Sequence, residues 1–220
     1  YDIVEDHYGN IWAGTDGGAA ICRLVDRKVT IQVLDYDQGL PDNIVKKLHV
    51  DKGNTVWMGT EDAGVLSFDP ATGKTTTLIK EWRFGNLTDF ALEGDLVWIS
   101  SPQSGLVLYD LKTSEAKLYN GNTGFDFMSV NTLLTDVEGN IWIGTKSGVI
   151  RTLGDHVEYI DQFDPYANTS VLALTVDKDE NLWYSTNEGL FKRRVDESGK
   201  VFGEQLLLNT PYQRYTIISL

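Results

Sequence analysis

Basic charge is scarce in this 220-residue chain: 19 lysines and arginines stand against 32 acids, a net charge of -13. An acidic surface repels phosphate backbones, so nucleic acid is excluded as an expected partner. The short basic run at Lys192–Arg194 does not change this. A single cysteine, Cys22, rules out an internal disulfide and a thiolate metal cluster. Set in the apolar run "AAICRL", it reads as a buried, inert thiol rather than a nucleophile. No apolar run approaches the roughly 18 residues that span a bilayer. No leader is visible, and the opening "YDIVEDHYGN" fits a mature product or an excised segment.

Catalytic signatures are equally thin. The three histidines stand apart: His7 in a turn, His49 in an alternating strand, His156 near a fourth strand. Phosphate-binding loops, nucleophile elbows and H-E-x-x-H zinc motifs do not occur. "DKDEN" at Asp177–Asn181 lacks the central Gly and distal Glu of a calcium loop and reads as a hairpin turn. No catalytic residue, metal site or cofactor is expected. Helical periodicity is nearly absent as well.

Repetition is what the chain has. "GNIWAGTDGG" at Gly9–Gly18 returns almost unchanged as "GNIWIGTKSG" at Gly139–Gly148. Aligned on tryptophan, "NTVWMGTEDAG", "DLVWISSPQSG" and "NLWYSTNEG" complete five copies, at Trp12, Trp57, Trp98, Trp142 and Trp183. The spacings of 45, 41, 44 and 41 residues fit a β-propeller, whose blade is a four-stranded sheet of about this length. Only Trp82, in "KEWRFG", lies off the register.

Each copy reads alike. An alternating first strand such as "IVKKLHV" (Ile44–Val50) leads into an acidic turn opened by Asp6, Asp51, Asp136 or Asp177. That Asp accepts backbone N–H bonds, and a Gly three residues on is expected to supply positive φ. The tryptophan strand, a Gly-containing turn, and third and fourth strands such as "GVLSFD" and "KTTTLI" follow. The fold class is therefore all-β, a propeller of four-stranded antiparallel blades. About five are present, as repeats 1–34, 44–79, 86–119, 129–160 and 170–208, with 215–220 opening a further blade. Stacking blades buries both faces of each sheet. The tryptophan is expected to wedge between blades, at about 3–5 kcal/mol per deleted ring. Gly14, Gly59 and Gly144 allow close strand passage. Thr15, Thr60, Thr145 and Thr186 bond nearby backbone.

The unit "D-x-x-G-N-x-W-x-G-T-x-x-G-(L/V)" resembles the two-component regulator propeller repeat, and the second copy, Gly39–Lys74 with its "GLP-x-N" lead-in, matches best. Copy three lacks the acidic turn and the Gly-Thr pair, and copy five has Glu180 in place of the Gly. The resemblance implies a periplasmic ligand-sensing region of a hybrid two-component sensor, of the kind found in polysaccharide-harvesting bacteria. Both ends, "YDIVED" and "YTIISL", read as first strands and do not make up one shared blade, so the chain is expected to be a fragment of a longer propeller, with three alternatives: it closes as five blades, stays open, or is completed by further blades of the parent chain or by a homodimer.

Propeller topology places blade-to-blade connections and second-to-third-strand turns on one side, and the acidic turns on the other. The connections Asp35–Asn43, Lys80–Gly85, Asn120–Met128, Asp161–Thr169 and Asn209–Arg214 each carry an aromatic beside acids or amides. Rings next to planar polar groups suit the C–H faces and hydroxyls of a sugar. The candidate ligand-binding residues are Tyr36, Trp82, Arg83, Phe125, Tyr166 and Tyr212, and the expected ligand is an oligosaccharide or other small molecule. The alternatives are a propeller lyase or glycosidase and a protein-interaction scaffold.

Overall fold

The structure is a computed structural model that describes residues 1–79, 82–120, 130–136, 138–153, 156–159, 170–179, 181–187, 189–195 and 201–206. For 153, 156–159, 194–195 and 201–206 it describes the backbone alone. The residues expected to open a further blade, 215–220, lie outside the described residues.

Five four-stranded sheets account for every described strand. The first holds β1 (Asp2–Glu5), β2 (Ile11–Thr15), β3 (Gly18–Val25) and β4 (Lys28–Leu34). The second holds β5 (Val45–Val50), β6 (Val56–Thr60), β7 (Gly64–Asp69) and β8 (Lys74–Thr77). The third holds β9 (Asp89–Glu93), β10 (Leu96–Ser101), β11 (Gly105–Asp110) and β12 (Ala116–Tyr119). The fourth holds β13 (Val130–Thr135), β14 (Ile141–Thr145), β15 (Gly148–Leu153) and β16 (His156–Tyr159). The fifth holds β17 (Val171–Val176), β18 (Leu182–Thr186), β19 (Gly189–Val195) and β20 (Val201–Leu206). Each sheet pairs its strands in chain order, the antiparallel meander of a propeller blade. Among the described residues the only helical turn is a single 3-10 turn at Tyr36–Gln38.

The chain forms two compact units. One comprises Tyr1–Asp89 with Ser101–Ser104 and Leu111–Glu115, and the other comprises Phe90–Ser100, Gly105–Asp110 and Ala116–Leu220. In the first unit the Trp12 side of blade one packs on Val56, Met58, Leu66 and Phe68 of blade two. Trp12 and Phe68 meet edge to face at 5.1 Å. In the second unit Trp98 joins Ile141, Ile143 and Ile150 in one core. Trp142 packs against a further core that includes Leu182, Tyr184 and Phe191. The wedge role expected of tryptophan thus holds for Trp12, Trp98 and Trp142; Trp12 and Trp98 are fully buried, and Trp57, Trp142 and Trp183 are half-buried.

What fixes these rings is a carboxylate. Asp6 accepts from the backbone N–H groups of Tyr8 and Asn10, both at 2.9 Å, from the Asn10 amide at 2.8 Å and from the Trp12 indole at 2.9 Å. Asp51, Asp136 and Asp177 take the same role toward Trp57, Trp142 and Trp183, at 2.8, 2.9 and 2.8 Å. In blade three, which lacks the turn motif, Glu93 accepts from Trp98 at 2.9 Å. The turn and the blade packing are thereby one unit: the side chain that closes the hairpin also fixes the indole's rotation.

Two expectations about small residues need correction. The left-handed position of the acidic turn is Gly9 and Gly139 in copies one and four (φ 79 and 89), but Asn54 (φ 65) in copy two. "DKGNTVW" puts its glycine two residues after Asp51 rather than three, and Asn is the other residue that tolerates this conformation. Cys22 is half-buried, because it shares its face of blade one with the exposed Ile11 and Ile31. Other expectations are met. Thr15, Thr60 and Thr145 donate to the carbonyls of Gly18, Gly64 and Gly148 at 2.8, 3.0 and 2.9 Å. A Cβ on Gly14 would come within 2.6 Å of the Val45 carbonyl, and one on Gly144 within 2.8 Å of the Val171 side chain, so these glycines do admit the next blade's first strand. That strand carries a register shift at the same place in blades two, four and five (Val45/Lys47, Val130/Thr132 and Val171/Ala173).

An ion triad of the buried Asp89 with the half-buried Lys47 and Asp2 adds to the first unit. Lys47 on β5 lies 3.5 Å from Asp2 on β1 and 3.7 Å from Asp89. The Asp89 charge raises the Lys47 ammonium above its usual range, against burial, with help from Asp2.

Burial pushes the Asp6 and Asp51 carboxyls up, but the indole and backbone N–H groups hold both below the usual carboxylate range. At Asp177 the Trp183 N–H is the largest cause of a strong downward shift. Depressed acids contribute stability above their unfolded pKa, about 4, and lose it as pH falls through the folded value. The urea midpoint should therefore hold steady from pH 7 to about pH 5 and fall below that; a midpoint unchanged at pH 3 would contradict the coupling. Asp6→Ala, which strands a buried indole N–H and two backbone N–H groups, should cost about 2–4 kcal/mol. Asp69→Ala, at an exposed turn acid bonded to Ala71 and Thr72, should cost no more than about 1 kcal/mol. Equilibrium unfolding measures both.

Candidate functional site

The connections leaving blades one and two meet the hairpins between second and third strands, all within the first unit. The first connection begins at Asp35, which caps the 3-10 turn reciprocally: its carboxylate accepts from Asp37 N–H at 2.8 Å, and the Gln38 side chain accepts from Asp35 N–H at 3.1 Å. Gly39 ends the turn in the left-handed region (φ 89). This holds Tyr36 outward with 60% of its surface exposed, its N–H bonded to the Asn43 side chain at 2.8 Å. Asp42, buried, accepts from Ile44 N–H at 3.0 Å and from Asp62 N–H at 2.7 Å, which ties the connection to the β6–β7 hairpin.

The second connection folds around Trp82. Its indole N–H donates to the Gly85 carbonyl at 2.5 Å and its ring meets Phe84 edge to face at 5.1 Å. The ring also lies over Gly64, where a Cβ would come 3.2 Å from it. Trp82 is half-buried, Phe84 is buried and Arg83 is exposed, with its guanidinium 5.9 Å from the Phe84 ring.

Beyond Trp82 runs a row of planar polar groups. Asn86 N–H donates to Gln103 Oε1 at 3.0 Å, and Gln103 Nε2 returns a bond to Asn86 Oδ1 at 2.6 Å. The Asn86 amide reaches Asp62 at 3.3 Å. Ser101 supports the row from below, donating to the Phe84 carbonyl at 2.6 Å. Gly85 (φ 83) lets the chain pass Gln103, whose side chain a Cβ there would meet at 2.6 Å. Asp62 and Gln103 are exposed.

Of the six residues expected from sequence, Trp82 bonds Gly85 next to this row, Arg83 lies exposed near the Phe84 ring, and Tyr36 stands exposed on the preceding connection. Phe125, Tyr166 and Tyr212 lie outside the described residues. Asp62, Asn86 and Gln103 were missed. The aromatic rule selects rings within connections, whereas Asp62 and Gln103 sit in hairpins whose contact with Asn86 is made in space. Among the described residues no group of three or more His, Cys, Asp or Glu is placed to hold a metal ion. His7 uses its backbone N–H to bond Asn54 at 2.6 Å, and burial pushes the His49 imidazole below its usual range. What the row can do is exchange hydrogen bonds with a polyhydroxylated or amide-bearing ligand. Several of its members are exposed, and each carries donors or acceptors in a fixed plane.

Gly64→Ala is expected to destabilise by about 1–3 kcal/mol, through its left-handed φ and its contact with the Trp82 ring. Gly73→Ala, also left-handed (φ 71) but with nothing within 4 Å of a Cβ, should cost less. A difference in thermal unfolding checks this, and equal costs would show that Trp82 does not press on the hairpin.

Comparison with known proteins agrees with the repeat. Residues 1–17 and 124–147 match the family described as Two component regulator propeller. The match falls on copies one and four, not on the second copy, whose turn glycine is displaced by one residue. A histidine kinase P4 of Formosa agariphila is 28% identical over 162 residues, which cover 69% of this chain and 12% of the kinase. The extracellular domain of the hybrid two component system BT4673 from B. thetaiotaomicron superposes with a TM-score of 0.70 at 19% identity, over 94% of this chain and 28% of that one. Virginiamycin B lyase from Staphylococcus aureus superposes with a TM-score of 0.68 at 16% identity, over 97% of this chain and 71% of that one. At these identities the structural likenesses are likenesses of fold.

Proposed function

We propose that this chain is part of the extracytoplasmic, ligand-sensing propeller region of a two-component regulatory sensor, and that it binds a carbohydrate. The row Asp62–Asn86–Gln103, close in the chain to Trp82 and Arg83, carries the reading: planar polar groups, of which Asp62 and Gln103 are exposed, near an indole, on loops held by the blades. Support for the sensor assignment comes from the repeat family, the kinase relative and the fold of the extracellular sensor domain. A sensor acts by linkage: the ligand must favour one arrangement of the parent protein over another. Loops tied to two successive blades at once, as Asn86 is tied to Asp62 and Gln103, give a ligand that purchase.

A thermal-shift screen against plant and host glycan fragments tests this. Ligand at 100 times its dissociation constant should stabilise by about 2.7 kcal/mol. Asn86→Ala and Arg83→Ala should each weaken binding about tenfold, at roughly 1.4 kcal/mol apiece, with small changes in melting temperature. Trp82→Ala should lower both affinity and stability, because the ring rests on Gly64. Release of product from any fragment would turn the reading to a lyase or glycosidase. No response at millimolar glycan would turn it to an interaction scaffold.

A further inference from the structure

The hairpin between β10 and β11 departs from its counterparts at one side chain. In blades one, two and four a threonine ends the tryptophan strand and closes its own hairpin: Thr15, Thr60 and Thr145 donate to the carbonyls of Gly18, Gly64 and Gly148. Blade three holds Ser101 at this position, three residues after Trp98 as Thr60 is three after Trp57. Its hairpin is as long as that of blade two, with Gly105 four residues on where blade two has Gly64. Yet the Ser101 hydroxyl goes to the Phe84 carbonyl of the incoming connection at 2.6 Å, with Gln103 Oε1 3.1 Å away. In turn Ser101 Oγ accepts from the N–H groups of Gln103 and Ser104 at 3.3 and 3.4 Å. The residue type allows this: the χ1 of threonine is stiff, and serine lacks the γ-methyl that makes it so.

The effects of this bond gather at the polar row. A fixed Phe84 carbonyl fixes the start of Gly85, which passes so close to Gln103 that a Cβ would come within 2.8 Å of the Gln103 Cβ. The Gln103 side chain then meets Asn86 twice, at 3.0 and 2.6 Å. Ser101 is 3% exposed, Asn86 is half-buried and Gln103 is exposed, so the serine lies beneath groups that reach solvent. Blade two ties its incoming connection differently. There the Asp42 carboxylate accepts from Asp62 N–H and Glu61 N–H donates to the Ile44 carbonyl, while Thr60 stays within its own hairpin. All of these residues, from Asp42 to Gln103, belong to the first unit.

We propose that Ser101 is a positioning residue of the ligand face. It diverts the hydroxyl that closes the hairpin in the other copies onto the Phe84 carbonyl, and so holds Asn86 and Gln103 in the arrangement a ligand meets. The exchange of the Gly-Thr pair for Ser100 and Ser101 in copy three thereby serves the site. This inference rests on the ligand reading above and adds the residue that presets its geometry, which lowers the ordering cost of binding.

The test compares Ser101→Thr, Ser101→Ala and, as a control, Thr60→Ser in the 220-residue chain. Exchange of the Asn86 backbone N–H, followed by NMR, reads the hold on the connection without any ligand. It should quicken about tenfold in both Ser101 variants and stay as it was in Thr60→Ser. Melting should fall in Ser101→Ala but stay within about 2 °C in Ser101→Thr, whose hydroxyl returns to its own hairpin. Calorimetry with xylohexaose, tetragalacturonate and chitotetraose reads affinity. For whichever of these binds the unaltered chain, both Ser101 variants should weaken binding about fivefold. Unchanged Asn86 exchange in either Ser101 variant would overturn the proposal. Unchanged affinity for a glycan that binds would overturn it too, and the ligand reading would then stand alone. Binding of none of the three at millimolar concentration would sink the ligand reading and the positioning role with it, whatever the exchange rates.

Discussion

One carboxylate per blade holds the rest in place. In four of the five sheets an Asp closes the first hairpin through two backbone N–H groups and takes the indole N–H of a Trp six residues on. Without that acceptor a large ring with a buried donor would be a poor choice for a packing face, since an unmade bond there costs more than a made one returns. With it, the ring is oriented before the next blade arrives. Local turn chemistry and long-range packing are then satisfied by the same atoms, and five unequal sequences can build the same sheet.

Departures from the motif show which parts matter. Blade three has no acidic turn, yet Glu93 reaches Trp98 from the strand before it. Blade two moves its turn glycine by one residue and puts Asn54 in the left-handed position, yet keeps the Asp-to-Trp spacing and the bond. The carboxylate-to-indole contact is therefore the constrained element, and the glycine is one of several ways to let the chain turn. This freedom leaves the opposite side of the blade open to specialise, where a connection carries Trp82, Arg83 and Asn86 and the neighbouring hairpins carry Asp62 and Gln103.

The proposed sensing would follow from that division. The blades supply stiff supports, and the connections link the end of one to the hairpin of the next. On the reading proposed above, a ligand held by Asn86 and its neighbours would act on two blades together.

The sequence by itself determined the blades: the 41–45-residue tryptophan spacing, strand alternation and turn residues are local signals, repeated, and they gave four-stranded sheets at the right places. It also determined that Gly14 and Gly144 admit a neighbouring strand. Only the tertiary structure decided which atoms satisfy the indoles, because the Asp was legible as a turn residue while its second partner was not. The polar row was hidden for the same reason: Asp62, Asn86 and Gln103 lie 17 to 41 positions apart in a chain without alternation to mark them. Cys22 stood in an apolar run and was expected to be buried; whether such a run is covered depends on what packs against its face, and that is a property of the assembled sheets.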